Sequence, residues 1–72
     1  MSKNNKLKIK INGKYQVIKR KTSLKTLLNT FKLPLNKIAI ELNQNIVDKK
    51  KLSKIELKNK DKIEIVHFIG GG

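Results

Sequence analysis

Leu24, Leu27, Leu28 and Phe31 recur at i, i+3, i+4 and i+7, which puts their side chains in one stripe along a helix. On either side of this stripe the pattern changes to alternation, in Leu7-Lys8-Ile9-Lys10-Ile11 and in Ile38-Ala39-Ile40-Glu41-Leu42. A period of two turns one strand face toward a core and leaves the other in water. One amphipathic helix set between half-buried strands hides its stripe most economically against a sheet, so the pattern predicts a two-layer α+β domain. The chain has 72 residues and no cysteine, so neither disulfides nor a thiolate metal site can supplement that packing. With 38% hydrophobic residues, the expectation is one modest core and a single domain over 1–72.

Turn and cap residues set the order of the elements. Asn12-Gly13 follows the first strand, and both residues tolerate positive φ, as a tight hairpin requires. The return strand over about 14–20 has two possible phases. A two-residue turn sets Ile11 opposite Lys14 and Ile9 opposite Gln16, with Tyr15 and Val17 facing away from the core. A longer, bulged loop would turn Tyr15 and Val17 inward and leave Ile18 outside. Thr22-Ser23 supplies a helix N-cap, and Pro34 disfavours helical geometry at Leu33, so the helix is expected to end there.

After the Ile38–Leu42 strand, Asn43-Gln44-Asn45 turns the chain into a short strand at Ile46-Val47. Residues 48–59 are lysine-rich, anchored only by Leu52, Ile55 and Leu57, and read as a surface crossover holding one short strand or turn. Ile63-Glu64-Ile65-Val66-His67-Phe68 is the last strand, and it runs directly into Ile69-Gly70-Gly71-Gly72. Hairpin, covering helix, two strands, crossover and final strand make the β-grasp arrangement, in which the last strand lies mid-sheet beside the first. If Ile63 and Ile65 point inward, His67 shares their side, and Val66 and Phe68 form an apolar patch for a partner on the other.

The formal net charge is +13, from 18 basic residues against five acidic ones. Only Arg20 among the basic residues is arginine, the side chain that makes bidentate base and phosphate contacts. The aromatics, Tyr15, Phe31 and Phe68, fall in three separate segments with no stacking platform. The lysines are dispersed along the chain, which reads as a solvated surface suited to acidic partner proteins, not as a nucleic-acid interface. No apolar run approaches the roughly 20 residues of a membrane span. Met1-Ser2-Lys3-Asn4-Asn5-Lys6 lacks the features of a secretory signal or transit peptide, so the expected site of action is the compartment of synthesis. That is the cytoplasm, or the plastid stroma if the chain is plastid-encoded.

Catalytic groups are scarce. There is one histidine, His67, and the acids Glu41, Asp48, Glu56, Asp61 and Glu64 are scattered, so no catalytic or metal-binding set is expected. The reactive group that remains is the carboxylate of Gly72. A glycine segment has no side chains and can thread a narrow channel, with a loose tail expected over 70–72 and a loose lead over 1–5. Activated by a partner as an acyl-adenylate, such a carboxylate becomes an electrophile for a thiol, persulfide or amine. These features describe a carrier acted on by enzymes, not an enzyme.

The segments IAIELNQNIV (Ile38–Val47) and DKIEIVHFIGGG resemble the bacterial and plastid thiamine sulfur carriers, the ubiquitin-like proteins of thiazole synthesis. The resemblance extends from Leu7 onward and includes the Asn-Gly hairpin and the Thr-Ser-Leu helix start. One departure is visible: where the family often has Gly-Asp before the last strand, this chain has Lys60-Asp61. The resemblance implies a β-grasp sheet covered by one helix and a cycle run by partner enzymes. An E1-like adenylyltransferase would consume ATP to activate Gly72, a desulfurase would relay sulfur to it, and thiazole synthase would take that sulfur. No cofactor would be bound by the carrier itself, and neither nucleic acid nor membrane is an expected partner. Gly72 would be the covalent site, Gly71 and Gly70 the threading residues, and Phe68, Val66 and Ile69 the docking region. The small subunit of molybdopterin synthase and ubiquitin-type protein modifiers, which share the terminal chemistry, are the alternatives.

Overall fold

The computed structural model describes residues 5–68. Strands β1 (Lys6–Ile11) and β2 (Lys14–Lys19) pair antiparallel across a two-residue turn. Asn12 at φ 48° and Gly13 at φ 84° both take left-handed backbone, matching the twist of the flanking strands. Ile11 therefore lies opposite Lys14 and Ile9 opposite Gln16. This decides the phase of the hairpin in favour of the tight turn. Tyr15 and Val17 face solvent at 65% and 60% exposure, while Ile18 packs against the core.

Helix α1 (Leu24–Thr30) starts where the Ser23 hydroxyl accepts the Thr26 N–H at 3.1 Å. Leu24, Leu27 and Leu28 are buried. The helix ends earlier than the proline predicts. Lys32 turns left-handed at φ 56°, its N–H bonds the Asn29 carbonyl, and the Leu33 N–H reaches back to the Leu28 carbonyl. This is a Schellman closure, with Leu33 packing into the same core as Leu28. The chain has thus left the helix before Pro34 can act on it. Phe31, the fourth member of the stripe, sits on the cap and is 43% exposed.

Strands β3 (Ile38–Leu42) and β4 (Asn45–Ile46) form a second tight hairpin, with Asn43 at φ 52° and Gln44 at φ 73° in its turn. The short strand begins one residue earlier than expected; Ile46, opposite Glu41, faces solvent and Val47 packs inward. The lysine-rich crossover contains a 3-10 helix (Lys49–Lys54) and not a strand. Leu52 and Leu57 are buried, and Ser23 and Glu56 form an isolated bridge. Around that bridge the Leu24 N–H donates to the Ile55 carbonyl at 2.8 Å and the Leu57 N–H to the Thr22 carbonyl at 2.9 Å. The crossover is therefore stitched to the start of α1.

Strand β5 (Lys62–His67) completes a five-stranded sheet in the order β2-β1-β5-β3-β4. It runs parallel to β1, with Lys10 beside Lys62, and antiparallel to β3, with Ile40 beside Ile65. Ile9, Ile38, Ile40 and Ile63 of the inner sheet face meet Leu24 and Leu28 of the helix, all at 1% exposure or less. No polar or charged side chain is buried among the described residues, so apolar packing alone holds the two layers together.

Candidate functional site at the end of the central strand

Two turn asparagines lock β5 in place. As β1 leaves the sheet at Asn12, the backbone N–H of that residue still donates to the Ile63 carbonyl at 2.8 Å. Its side chain then acts as one more peptide group: Oδ1 accepts the Ile65 N–H at 2.7 Å and Nδ2 donates to the Ile65 carbonyl at 3.2 Å. Asn43 does the same from the other side. Its N–H donates to the Lys62 carbonyl at 2.8 Å and its Oδ1 accepts the Lys62 N–H at 2.9 Å. Its Nδ2 also donates to Asp61 Oδ1 at 3.0 Å, while Asp61 Oδ2 accepts the Lys58 N–H. The turn chemistry predicts both asparagines as turn formers. Their second role was out of reach without the register, because an amide side chain does not reveal which backbone it will meet.

The strand is held as far as Phe68, whose N–H donates to the Lys37 carbonyl at 2.8 Å. Val66, opposite Ala39, and Phe68 project from the open face of the sheet, 57% and 56% exposed. These two predicted docking residues are thus surface apolar groups at the strand's end. The others, Ile69, Gly70, Gly71 and Gly72, lie outside the described residues, as does most of the 1–5 lead. The lysine-rich crossover also reaches this end: the Lys49 ammonium stands 5.5 Å from the Phe68 ring centroid. That cation–π contact is invisible to sequence patterning, since the two residues lie on different elements.

On the other face His67 borders a depression of ≈ 440 Å³ shared with Phe31, Leu33, Gln16 and Ile65. Among the described residues no group of three or more His, Cys, Asp or Glu is placed to hold a metal, and no helix is long and apolar enough to cross a membrane. What the described residues show at this end is a strand held firmly up to Phe68, with Val66 and Phe68 exposed beside it.

A tight hairpin, one covering helix and a last strand inserted mid-sheet define a β-grasp, ubiquitin-like protein. The crystal structure of the thiamine biosynthesis protein ThiS from Geobacter metallireducens has this fold, with a TM-score of 0.80 at 23% identity, covering 92% of this chain and 100% of that one. The ThiS family model matches residues 9–72. The sulfur carrier protein ThiS of Bacillus subtilis is 37% identical over 65 residues, covering 89% of this chain and 98% of that protein. The chain belongs to the ThiS family, the ubiquitin-like sulfur carriers of thiamine biosynthesis. The thiazole synthase of Magnetococcus marinus is also similar, 36% identical over 66 residues that cover 92% of this chain and 20% of that larger protein.

Proposed function

We propose that this chain is a protein carrier, not an enzyme, and that it bears sulfur for thiazole formation as a thiocarboxylate on Gly72. The observation that carries this reading is the family match running through Gly72, six residues past the point where Val66 sits on the pinned central strand. In the first step a carboxylate oxygen of Gly72 attacks the α-phosphorus of ATP on an E1-like adenylyltransferase, and pyrophosphate leaves. The terminal sulfur of a persulfide, supplied by a desulfurase, then attacks the acyl carbon and displaces AMP. A partner thiolate then attacks the partner's cysteine sulfur in the resulting acyl disulfide, which forms a disulfide between the partner thiols and releases the thiocarboxylate. A cellular thiol reduces that disulfide before the next turnover. Thiazole synthase takes that sulfur. The likeness of this chain to a fifth of a thiazole synthase supports that partner, since a carrier-like segment and the enzyme then share one polypeptide.

Within this cycle Gly70 and Gly71 thread the partner's channel, which side chains would block. Val66, Phe68 and Ile69 dock at its mouth. ATP is consumed by the adenylating partner, and the carrier itself binds no cofactor. Intact-mass spectrometry after co-expression with the adenylating enzyme and desulfurase tests the reading. The expected mass change is replacement of one oxygen by sulfur, lost when Gly71-Gly72 are deleted. Conjugated ladders in its place would assign the chain to the protein modifiers. Thiazole formation that persists with the truncated chain would overturn the carrier reading altogether.

A further inference from the structure

The lysines are dispersed in sequence, but the sheet gathers a set of them on one half of its open face. Lys8 and Lys10 of β1 alternate outward between Leu7, Ile9 and Ile11, and lie opposite Val17 and Tyr15 of β2. Lys62 is the parallel neighbour of Lys10, and the Lys60 N–H donates to the Lys8 carbonyl at 2.7 Å. Together with Tyr15 these four lysines line a depression of ≈ 380 Å³. The Lys8 and Lys10 ammonium groups stand 5.2 and 5.0 Å from the Tyr15 ring centroid. Among the described residues no carboxylate pairs with any of the four. The acids of this face, Glu41 and Glu64, lie directly opposite each other on β3 and β5, in the half that carries Ala39 and Val66.

Such an arrangement is costly in isolation. Like charges set opposite each other on neighbouring strands, as Lys10 and Lys62 are, destabilise a sheet. The Tyr15 ring offsets part of this by attraction to the two ammonium groups. The face is therefore polarised along β5, cationic where the strand enters and apolar where it ends. Lys62 precedes Val66 by four residues, about 13 Å of strand. A standard interface buries about 800 Å² per partner, a disc of about 16 Å radius. A protein that seats Val66 and Phe68 at the centre of such a disc meets Lys62 and Lys10 at its rim.

We propose that the Lys8, Lys10, Lys60 and Lys62 half-face receives an acidic surface of thiazole synthase beside the pocket that takes the tail. This rests on the carrier reading. Rim charges act on encounter more than on lifetime, so the lysines steer association and fix the rotation of the carrier about its tail. A single-sign cluster on a +13 chain is suited to that task.

The test is stopped-flow association of the full chain with thiazole synthase from the same source. The patch variant is K8E/K10E/K62E. The control is K21E/K25E/K54E, on and around the helix, with the same change in net charge. At about 50 mM salt the patch variant is expected to associate about tenfold more slowly, and the control less than about threefold, with dissociation rates little changed. The gap should close near 500 mM salt, where the screening length falls to about 4 Å. The corresponding glutamine variants give the same ranking if reversal of charge impairs folding. Equal slowing in both sets, or no slowing in the patch set, overturns the proposal. So does binding of an unrelated RNA as tight as that of the enzyme at about 150 mM salt, since phosphate contacts would then explain the patch. Formation of a normal thiocarboxylate together with equal rates removes the patch alone. Failure of Gly72 to accept sulfur removes the carrier reading and this proposal together.

Discussion

Replacing Asn12 by alanine removes both hydrogen bonds to Ile65, at 2.7 and 3.2 Å, in a part-buried setting. Each bond contributes a net of about 1 kcal/mol, and unmet backbone groups raise the cost of losing them. Alanine must also hold φ 48°, a left-handed conformation that asparagine tolerates and alanine resists by about 1 kcal/mol. The expected loss is about 3 kcal/mol, a large share of the roughly 4–11 kcal/mol typical of a domain this size. Asn12→Gly separates the two effects, because glycine accepts the backbone conformation and lacks the amide. It should lose about 2 kcal/mol. Urea melts followed by far-UV circular dichroism give these values, and amide hydrogen exchange reports the Ile65 N–H directly. An Asn12→Gly variant within about 0.5 kcal/mol of wild type, with Ile65 protection unchanged, would refute the clamp.

Ser23→Ala removes the N-cap of α1 and should lower stability by about 1 kcal/mol, read as a lower melting temperature. Leu28→Ala, at a fully buried position facing the sheet, should cost about 2–5 kcal/mol and leave a substantial unfolded fraction by circular dichroism near 37 °C. Lys60→Gly should stabilise by about 0.5 kcal/mol in thermal melts, because Lys60 sits at φ 73° and the relief of strain exceeds the entropy that glycine adds to the unfolded chain.

The elements with a clear period were legible in the sequence, because alternation and helical spacing each leave one face to bury. The β-grasp order followed from them. Alternation set Ile38, Ile40 and Leu42 on one strand face and Ile63 and Ile65 on another, and both turn toward the core, Leu42 only in part. The phase of β2 was not legible, since Tyr15-Gln16-Val17-Ile18 offers an apolar residue to either face. It is settled by left-handed backbone at two consecutive residues, a choice that also decides which face Tyr15 occupies. The helix end was not legible for a related reason: the left-handed closing position is usually marked by glycine, and here a lysine takes it ahead of the proline. At the site, exposure of Val66 and Phe68 followed from strand parity. The asparagine clamps and the Lys49 contact required a tertiary register that no local pattern encodes.

A strand that comes late in the chain yet fills the middle of the sheet has a consequence for synthesis. Without residues 62–67 the sheet is reduced to two separate hairpins, each with an unpaired inner edge. Docking of β5 joins them, pairing the first strand with one more than fifty positions downstream. A chain cut short in synthesis before that point has no place to bury its isoleucines, so completion of the fold depends on a chain that reaches as far as His67.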